Sequence, residues 1–172
     1  MEVSFFEMFT YCSVFLKYTL STMEIFKSNV LVVENNRFLV NVLYKTLSDE
    51  FSVTVAANGF EAMALLEKGH KVDFIVTDLK LPRFNGLELI QLLRKSENYQ
   101  EMPILALSES GDSNARISSL ESGADDCMEK PFNPFEIQAK IKAMLRRVEV
   151  RKPRSVDDLK KHFPGLRSLH FN

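Results

Sequence analysis

The feature that most constrains the fold is a regular alternation of short apolar runs with segments of helical spacing between residues 29 and 147. Wholly apolar runs at residues 30–33, 74–76 and 104–107 predict parallel strands that are buried on both faces. Weaker runs at residues 53–56 and 127–128 predict two more strands. Because helical segments separate the strands, the sequence predicts an α/β fold in which right-handed crossovers place helices on both faces of an open sheet.

Five helical segments carry apolar residues three or four positions apart, the spacing of a helix that packs one face against a core. The stripes are Leu39, Val42, Leu43 and Leu47; Ala62, Leu65 and Leu66; Leu87, Ile90 and Leu93; Ile117 and Leu120; and Ile137, Ile141, Met144 and Leu145. The fourth stripe has the fewest apolar residues, so the fourth helix is predicted to be the most mobile.

Composition narrows the class of protein. The 172 residues suffice for one sizeable core and are too few for two average domains. With 45% hydrophobic and 26% charged residues, the chain is of ordinary globular type. The formal net charge of −1 gives no overall attraction to nucleic acid. Cys12 and Cys127 are too few for a disulfide framework, which favours the reducing cytoplasm.

The two ends of the chain differ from the middle. Residues 1–28 form a Phe-rich apolar leader, predicted to be poorly ordered, loosely helical, or not translated if synthesis begins at Met23. The apolar stretch is short and contains charges, which disfavours a signal peptide or a membrane anchor. Residues 148–172 hold six basic and three acidic residues and form a basic tail, with a short helix predicted after Ser155. A solvated tail is favoured there over a membrane or nucleic-acid contact.

Polar residues gather where the predicted strands end. Glu34 and Asn35 follow the first strand, Asp78 ends the third, Ser108 ends the fourth, and Lys130 follows the fifth. In a doubly wound sheet the carboxyl ends of the strands border the functional crevice. A carboxylate can accept a phosphoryl group, while Mg²⁺, a hydroxyl and an ammonium stabilise the phosphoryl oxygens. This set of residues therefore indicates phosphoryl-transfer chemistry.

Four segments in order, VLVVENN, VTDLKLPRFNGLEL, ILALS and GADDCMEKPF, resemble the CheY-like receiver domain of bacterial two-component response regulators. The spacings agree with the resemblance, because Ser108 lies 30 residues after Asp78 and Lys130 lies 52 after it. The resemblance covers residues 29–147. It implies a flavodoxin-like, doubly wound, five-stranded parallel sheet with the strand order 2-1-3-4-5.

The resemblance implies a role for each residue of the phosphorylation pocket. Asp78 matches the phospho-accepting aspartate, and Lys130 matches the lysine that pairs with it or with its phosphoryl group. Ser108 matches the switch hydroxyl that moves toward the phosphoryl group. A cis peptide bond is implied between Lys130 and Pro131. Gly86 matches a glycine that relieves crowding where the third helix begins.

The implied metal ligands for Mg²⁺ are Glu34, Asn35, Asp78 and the backbone carbonyl of Lys80. Asn35 departs from the usual pattern, which has a second acid at that place. An amide oxygen can bind Mg²⁺ but brings no negative charge, so weaker binding of Mg²⁺ and slower phosphorylation are predicted.

Cys127 is the second departure, because receivers often place an aromatic residue there that turns inward when the switch hydroxyl moves. A small thiol cannot report the switch by swinging a ring. Cys127 is therefore expected to damp switching or to leave signalling to another part of the surface. A small buried apolar role is favoured for it over a redox role.

The leading hypothesis is a single-domain response regulator, phosphorylated on Asp78 by a histidine kinase or a phosphotransfer protein. It would signal by altered binding of a downstream protein, and the face of helix 4, strand 5 and helix 5 could also form a homodimer. Its own chemistry would be limited to self-phosphorylation and slow self-dephosphorylation. Nucleic-acid and membrane partners are not expected.

Two alternatives to this hypothesis stay open. The first is a pseudo-receiver that acts as a phosphorylation-independent interaction module, which Asn35 and Cys127 both favour. The second is a flavodoxin-like or haloacid-dehalogenase-like enzyme. The enzyme is disfavoured because the loop after the first strand lacks a phosphate-binding Ser, Thr and Gly pattern, and because position 80 is Lys where that phosphatase class has Asp.

Overall fold

The computed structural model of the protein describes residues 27–151, in which strands and helices alternate as the apolar pattern predicts. The strands are β1 (Asn29–Val33), β2 (Ser52–Ala56), β3 (Phe74–Asp78), β4 (Ile104–Ser108) and β5 (Asp126–Glu129). The helices are α1 (Arg37–Leu47), α2 (Gly59–Glu67), α3 (Gly86–Lys95), α4 (Ser113–Glu121) and α5 (Pro134–Arg151).

The strands form one parallel sheet in the order β2-β1-β3-β4-β5, which confirms the predicted doubly wound fold. Its register aligns the carboxyl ends of the strands. Val33 lies opposite Thr77, Asp78 opposite Leu107, and Ser108 opposite Glu129. The polar residues that follow these strands are therefore carried to one edge of the sheet.

The central strands β3 and β4 are buried along their whole length because helices cover both faces of the sheet. Successive side chains point to opposite faces. Ile75 and Ala106 belong to a core beneath α2 and α3, whereas Phe74, Val76 and Leu105 belong to a second core beneath α1 and α5. Full burial of one such aliphatic or aromatic side chain stabilises the fold by roughly 1.5–3 kcal/mol.

Polar caps fix where the helices begin, at the same edge as the polar strand ends. The side chain of Asn36 accepts hydrogen bonds from two backbone N–H groups of α1, and that of Asn58 accepts one, from Glu61 in α2. Asn85 and Glu88 form a reciprocal capping box at the start of α3, and Asp112 caps α4. Each cap satisfies backbone donors that the first helical turn leaves without a partner.

Helix α4 packs more weakly than its neighbours, as its sparse apolar stripe predicts. Ser119 is its one fully buried residue, while Ile117 and Leu120 are 54% and 48% exposed. The greater mobility expected of this helix stays a prediction.

Helix α5 continues to Arg151, four residues past the predicted domain boundary at Arg147. Within the described range, no helix is both long and apolar enough to cross a bilayer. The predicted leader, apart from Lys27 and Ser28, and the tail helix after Ser155 lie outside the described residues.

Candidate functional site

Asp78 forms the floor of the pocket at the end of β3, where its side chain is almost entirely buried. Its Oδ1 accepts a hydrogen bond from the backbone N–H of Lys80 at 3.1 Å. The next residue, Leu79, donates its N–H to the carbonyl of Leu107 at 3.0 Å, which ties the strand end to β4. One oxygen of the carboxylate is thus held by a backbone N–H, at a strand end that is itself fixed to β4.

Lys130, which follows the edge strand β5, places its ammonium beside this carboxylate. Its Nζ donates to Asp78 Oδ2 at 2.7 Å and to Glu34 Oε2 at 3.0 Å. Its backbone N–H donates to the carbonyl of Ser108 at 2.8 Å, and its peptide bond to Pro131 is cis. Lys130 therefore links the ends of β1, β3, β4 and β5 at one point.

Glu34 is the second buried carboxylate of the pocket, with 1% of its surface exposed. Its backbone N–H donates to the carbonyl of Ala56 at 3.0 Å, which continues the β1–β2 pairing by one residue. Its Oε1 accepts the backbone N–H of Asn36 at 2.9 Å, while Oε2 faces Lys130. Both oxygens of this buried acid are satisfied, as burial requires.

The charge of Lys130 is stabilised in the pocket. Burial disfavours the ammonium, but the hydrogen bonds and the negative charges of Asp78 and Glu34 outweigh burial and raise the pKa of Lys130. The lysine is therefore charged at neutral pH and lies between two carboxylates. Such a group is suited to binding the oxygens of an anion attached to Asp78.

Ser108 lies buried at the end of β4, in register with Glu129. Its hydroxyl donates a long hydrogen bond of 3.5 Å to the carbonyl of Met128 on β5. A bond of this length is weak, so the hydroxyl can exchange it for a better acceptor at small cost.

Comparison with models of known protein families identifies the family of the chain. The family model described as "Response regulator receiver domain" matches residues 30–142. The chain belongs to this family. The expected CheY-like fold is thereby confirmed for the receiver domain.

Individual relatives agree with this assignment. The receiver is 39% identical over 121 residues to "Transcriptional regulatory protein CpxR homolog" of Haemophilus influenzae, covering 70% of this chain and 51% of that protein. It is 38% identical over 127 residues to "Alkaline phosphatase synthesis transcriptional regulatory protein PhoP" of Bacillus subtilis, covering 73% of this chain and 52% of that one. The chain thus spans about half the length of these curated relatives.

Solved structures give the same result. The chemotaxis response regulator CheY4 of Vibrio cholerae matches with a TM-score of 0.64 and 28% identity, over 69% of this chain and 98% of that one. The receiver domain of Francisella response regulator 1452 matches with a TM-score of 0.64 and 29% identity, over 70% and 98% of the two chains.

Receiver domains generally bind Mg²⁺ at the phosphorylation site, and the residues of this receiver supply oxygen ligands of the kind that Mg²⁺ prefers. Glu34 and Asp78 are buried, while Asn35 and Lys80 are exposed at the rim. Within residues 27–151, no three His, Cys, Asp or Glu side chains are grouped so that they could hold a metal.

Cys127 lies on β5, 8% exposed, in the core beneath α2 and α3. Its thiol is not in a disulfide. Cys127 is therefore packed like a small apolar side chain. It has no aromatic ring that could turn inward at this position.

Two acidic residues at strand ends, Glu109 and Glu129, are not among the residues that the sequence predicts for the site. Glu109, directly after β4, places its Oε1 3.8 Å from Lys130 Nζ. Glu129 accepts the backbone N–H of Gly111 and lies 3.9 Å from Arg116 on α4. Their positions at strand ends were a usable signal, since every other pocket residue was found in that way.

Proposed function

We propose that this receiver domain is phosphorylated on Asp78 by a histidine kinase or a histidine phosphotransfer protein, and that it signals through a changed protein-binding surface. The observation that carries the proposal is the contact of 2.7 Å between the buried Asp78 carboxylate and the charged Lys130, with Glu34 on the other side of the ammonium.

The chemistry follows from this arrangement. An oxygen of Asp78 attacks phosphorus, the bond from phosphorus to the donor breaks, and an acyl phosphate forms. Lys130, already charged and in place, neutralises part of the charge on the phosphoryl oxygens without rearrangement. Glu34 keeps the ammonium oriented while Asp78 reacts. The chemistry proposed for the protein itself is limited to this self-phosphorylation and to slow hydrolysis of the acyl phosphate, which restores Asp78 and releases inorganic phosphate.

Glu34, Asn35, Asp78 and the carbonyl of Lys80 would hold Mg²⁺. When bound, Mg²⁺ supplies positive charge to the oxygens of the transferring phosphoryl group.

The output is assigned to the surface of α4, β5 and α5. Helix α4 has the fewest buried side chains, so its position can change at small cost. Its exposed Ile117 and Leu120 offer apolar surface to a downstream protein or to a second copy of the receiver. Phosphorylation would act by biasing this element between two positions. A cytoplasmic location is the natural one for a partner of a kinase and is part of the proposal.

The first test uses acetyl phosphate with Mg²⁺, followed by intact mass. We expect the protein to gain one phosphoryl group and the Asp78→Asn variant to gain none, because an amide is not a nucleophile toward phosphorus. Asn has nearly the same size as Asp, so the variant removes the nucleophile without altering the packing of the pocket. No gain at any Mg²⁺ concentration would instead favour the phosphorylation-independent pseudo-receiver.

The second test restores the acid at position 35. Asn35→Asp is expected to tighten Mg²⁺ binding by roughly several-fold to tenfold, since it adds a negative charge beside Glu34 in a partly exposed site. Calorimetric titration with Mg²⁺ measures the affinity. Asn36→Asp is the matched control, because it adds the same charge one residue away and keeps an N-cap on α1. Equal Mg²⁺ affinities of Asn35→Asp and the unaltered protein would show that Asn35 does not limit metal binding.

A further inference from the structure

Glu109 stands at the mouth of the phosphorylation pocket. It directly follows β4, and its Oε1 lies 3.8 Å from Lys130 Nζ. The side chain of Glu109 is 46% exposed, whereas that of Lys130 is 13% exposed. Its carboxylate is therefore open to solvent while still lying close to the largely buried ammonium.

Glu109 is also the third carboxylate around one ammonium. Lys130 has three N–H donors, and Asp78 and Glu34 accept two of them at 2.7 and 3.0 Å. At 3.8 Å, Glu109 interacts with the ammonium mainly through its charge. Asn35 leaves the β1 side of the pocket without its second acid, and Glu109 adds one acid on the β4 side.

We propose that Glu109 determines which phosphodonors this receiver uses, by competing for Lys130 with an incoming phosphoryl group and by repelling small anionic donors. Because phosphorylation of Asp78 is itself the function proposed above, the role of Glu109 depends on it. A protein donor can offset the repulsion with its own contacts, whereas a small acyl phosphate cannot.

The reaction concerned is balanced without any further reactant. The bond between phosphorus and the acyl oxygen of the donor breaks, and its electron pair leaves on the carboxylate product. A new bond forms between phosphorus and an oxygen of Asp78. The product carries about −1.5 to −2 charges on the phosphoryl group. Each of these species is anionic, so a carboxylate at the mouth opposes both the approach of the donor and the product.

The experiment compares rates of phosphorylation by acetyl phosphate in the full chain. Glu109→Gln is expected to react about threefold to tenfold faster at low ionic strength, because it removes a charge close to the reacting groups. Raising the salt to about 0.5 M should bring the ratio close to one, since the Debye length then falls well below 10 Å. Glu109→Asp keeps the charge and should retain the slow rate.

Glu101→Gln is the matched control. Glu101 is exposed and precedes β4, at the end of the strand opposite the pocket. Glu101→Gln therefore makes the same change in net charge far from Asp78. It should leave the rate unchanged, and thermal unfolding of all variants checks their fold.

The outcomes separate the two proposals. Phosphorylation of Glu109→Gln at the unaltered rate, more slowly, or with a gain that salt does not reduce would overturn the role of Glu109 alone. If neither the unaltered protein nor Glu109→Gln gains a phosphoryl group, phosphorylation of Asp78 is refuted, and the role of Glu109 is refuted with it.

Discussion

Lys130→Met is expected to lower the free energy of unfolding by about 3–5 kcal/mol at neutral pH. The substitution removes the cation but leaves two carboxylates buried beside each other, since Asp78 is 3% exposed and Glu34 is 1% exposed. Methionine fills most of the volume of the lysine stem, so the cost comes from uncompensated charge and not from a cavity. Urea unfolding followed by circular dichroism measures the loss.

The pH dependence of the free energy of unfolding should also differ between the unaltered protein and Lys130→Met. The folded-state pKa of Lys130 is raised, so its stabilising contribution is fully present below the unfolded value of about 10.5 and is lost as pH rises through the folded pKa. The unaltered protein should therefore lose this stability on the alkaline side, and Lys130→Met should not.

Lys142→Met is the control, because it removes a lysine whose ion pair lies at the surface. Lys142 binds Glu50, and both side chains are more than 40% exposed. Such pairs contribute about 0–1 kcal/mol, so this variant should unfold almost like the unaltered protein. A loss below about 1 kcal/mol for Lys130→Met as well would mean that the carboxylates of Asp78 and Glu34 relax into solvent.

The sheet was largely predictable because burial on both faces leaves a continuous apolar signal. The signal stops early at β3, where residues 74–76 are apolar but the strand runs to Asp78. The strand continues because its ladder is made by backbone groups, and Asp78 still pairs with Leu107. The edge strand β2 was a weak candidate because most of its side chains are only half-buried. Strand order came from the resemblance to receivers, since periodicity carries no information about which strands are neighbours.

The site was predictable to the extent that topology alone determines it. Asp78 and Lys130 are 52 residues apart, but Asp78 ends β3 and Lys130 directly follows β5. Because the register fixes both strand ends, their meeting follows from the fold. Glu109 and Glu129 also stand at strand ends, so their place at this edge of the sheet was predictable, but their contacts were not. Their roles depend on the direction and reach of a long side chain in a loop or on an edge strand, and neither leaves a periodic trace in the sequence.

Gly86→Ala is expected to damage both stability and phosphorylation, because the start of α3 rests directly on the backbone of the phosphorylation site. A Cβ at position 86 would lie 2.1 Å from the carbonyl oxygen of Asp78 and 2.9 Å from Leu79 Cα. Both are backbone atoms, so no side-chain rotation can relieve the clash. Moreover, the N–H of Gly86 donates to the carbonyl of Leu79 at 3.2 Å, which holds the helix against this turn.

The clash can be relieved only if α3 and the end of β3 move apart. Overpacking of this kind costs about 1–3 kcal/mol and more when backbone must shift, so we expect a loss near the upper end from urea unfolding. The same shift moves the Asp78 carboxylate away from Lys130, which should slow phosphorylation by acetyl phosphate at least about tenfold, equivalent to about 1.4 kcal/mol.

Gly69→Ala separates this clash from the general cost of replacing a glycine. Gly69 has a φ of +80°, and no heavy atom lies within 4 Å of the position that an added Cβ would take, so alanine there meets backbone strain but no steric contact. It should cost about 1–2 kcal/mol and leave the rate of phosphorylation unchanged. If Gly86→Ala is phosphorylated at the unaltered rate, the turn after β3 can yield without moving Asp78, and the coupling between α3 and the acceptor carboxylate is absent.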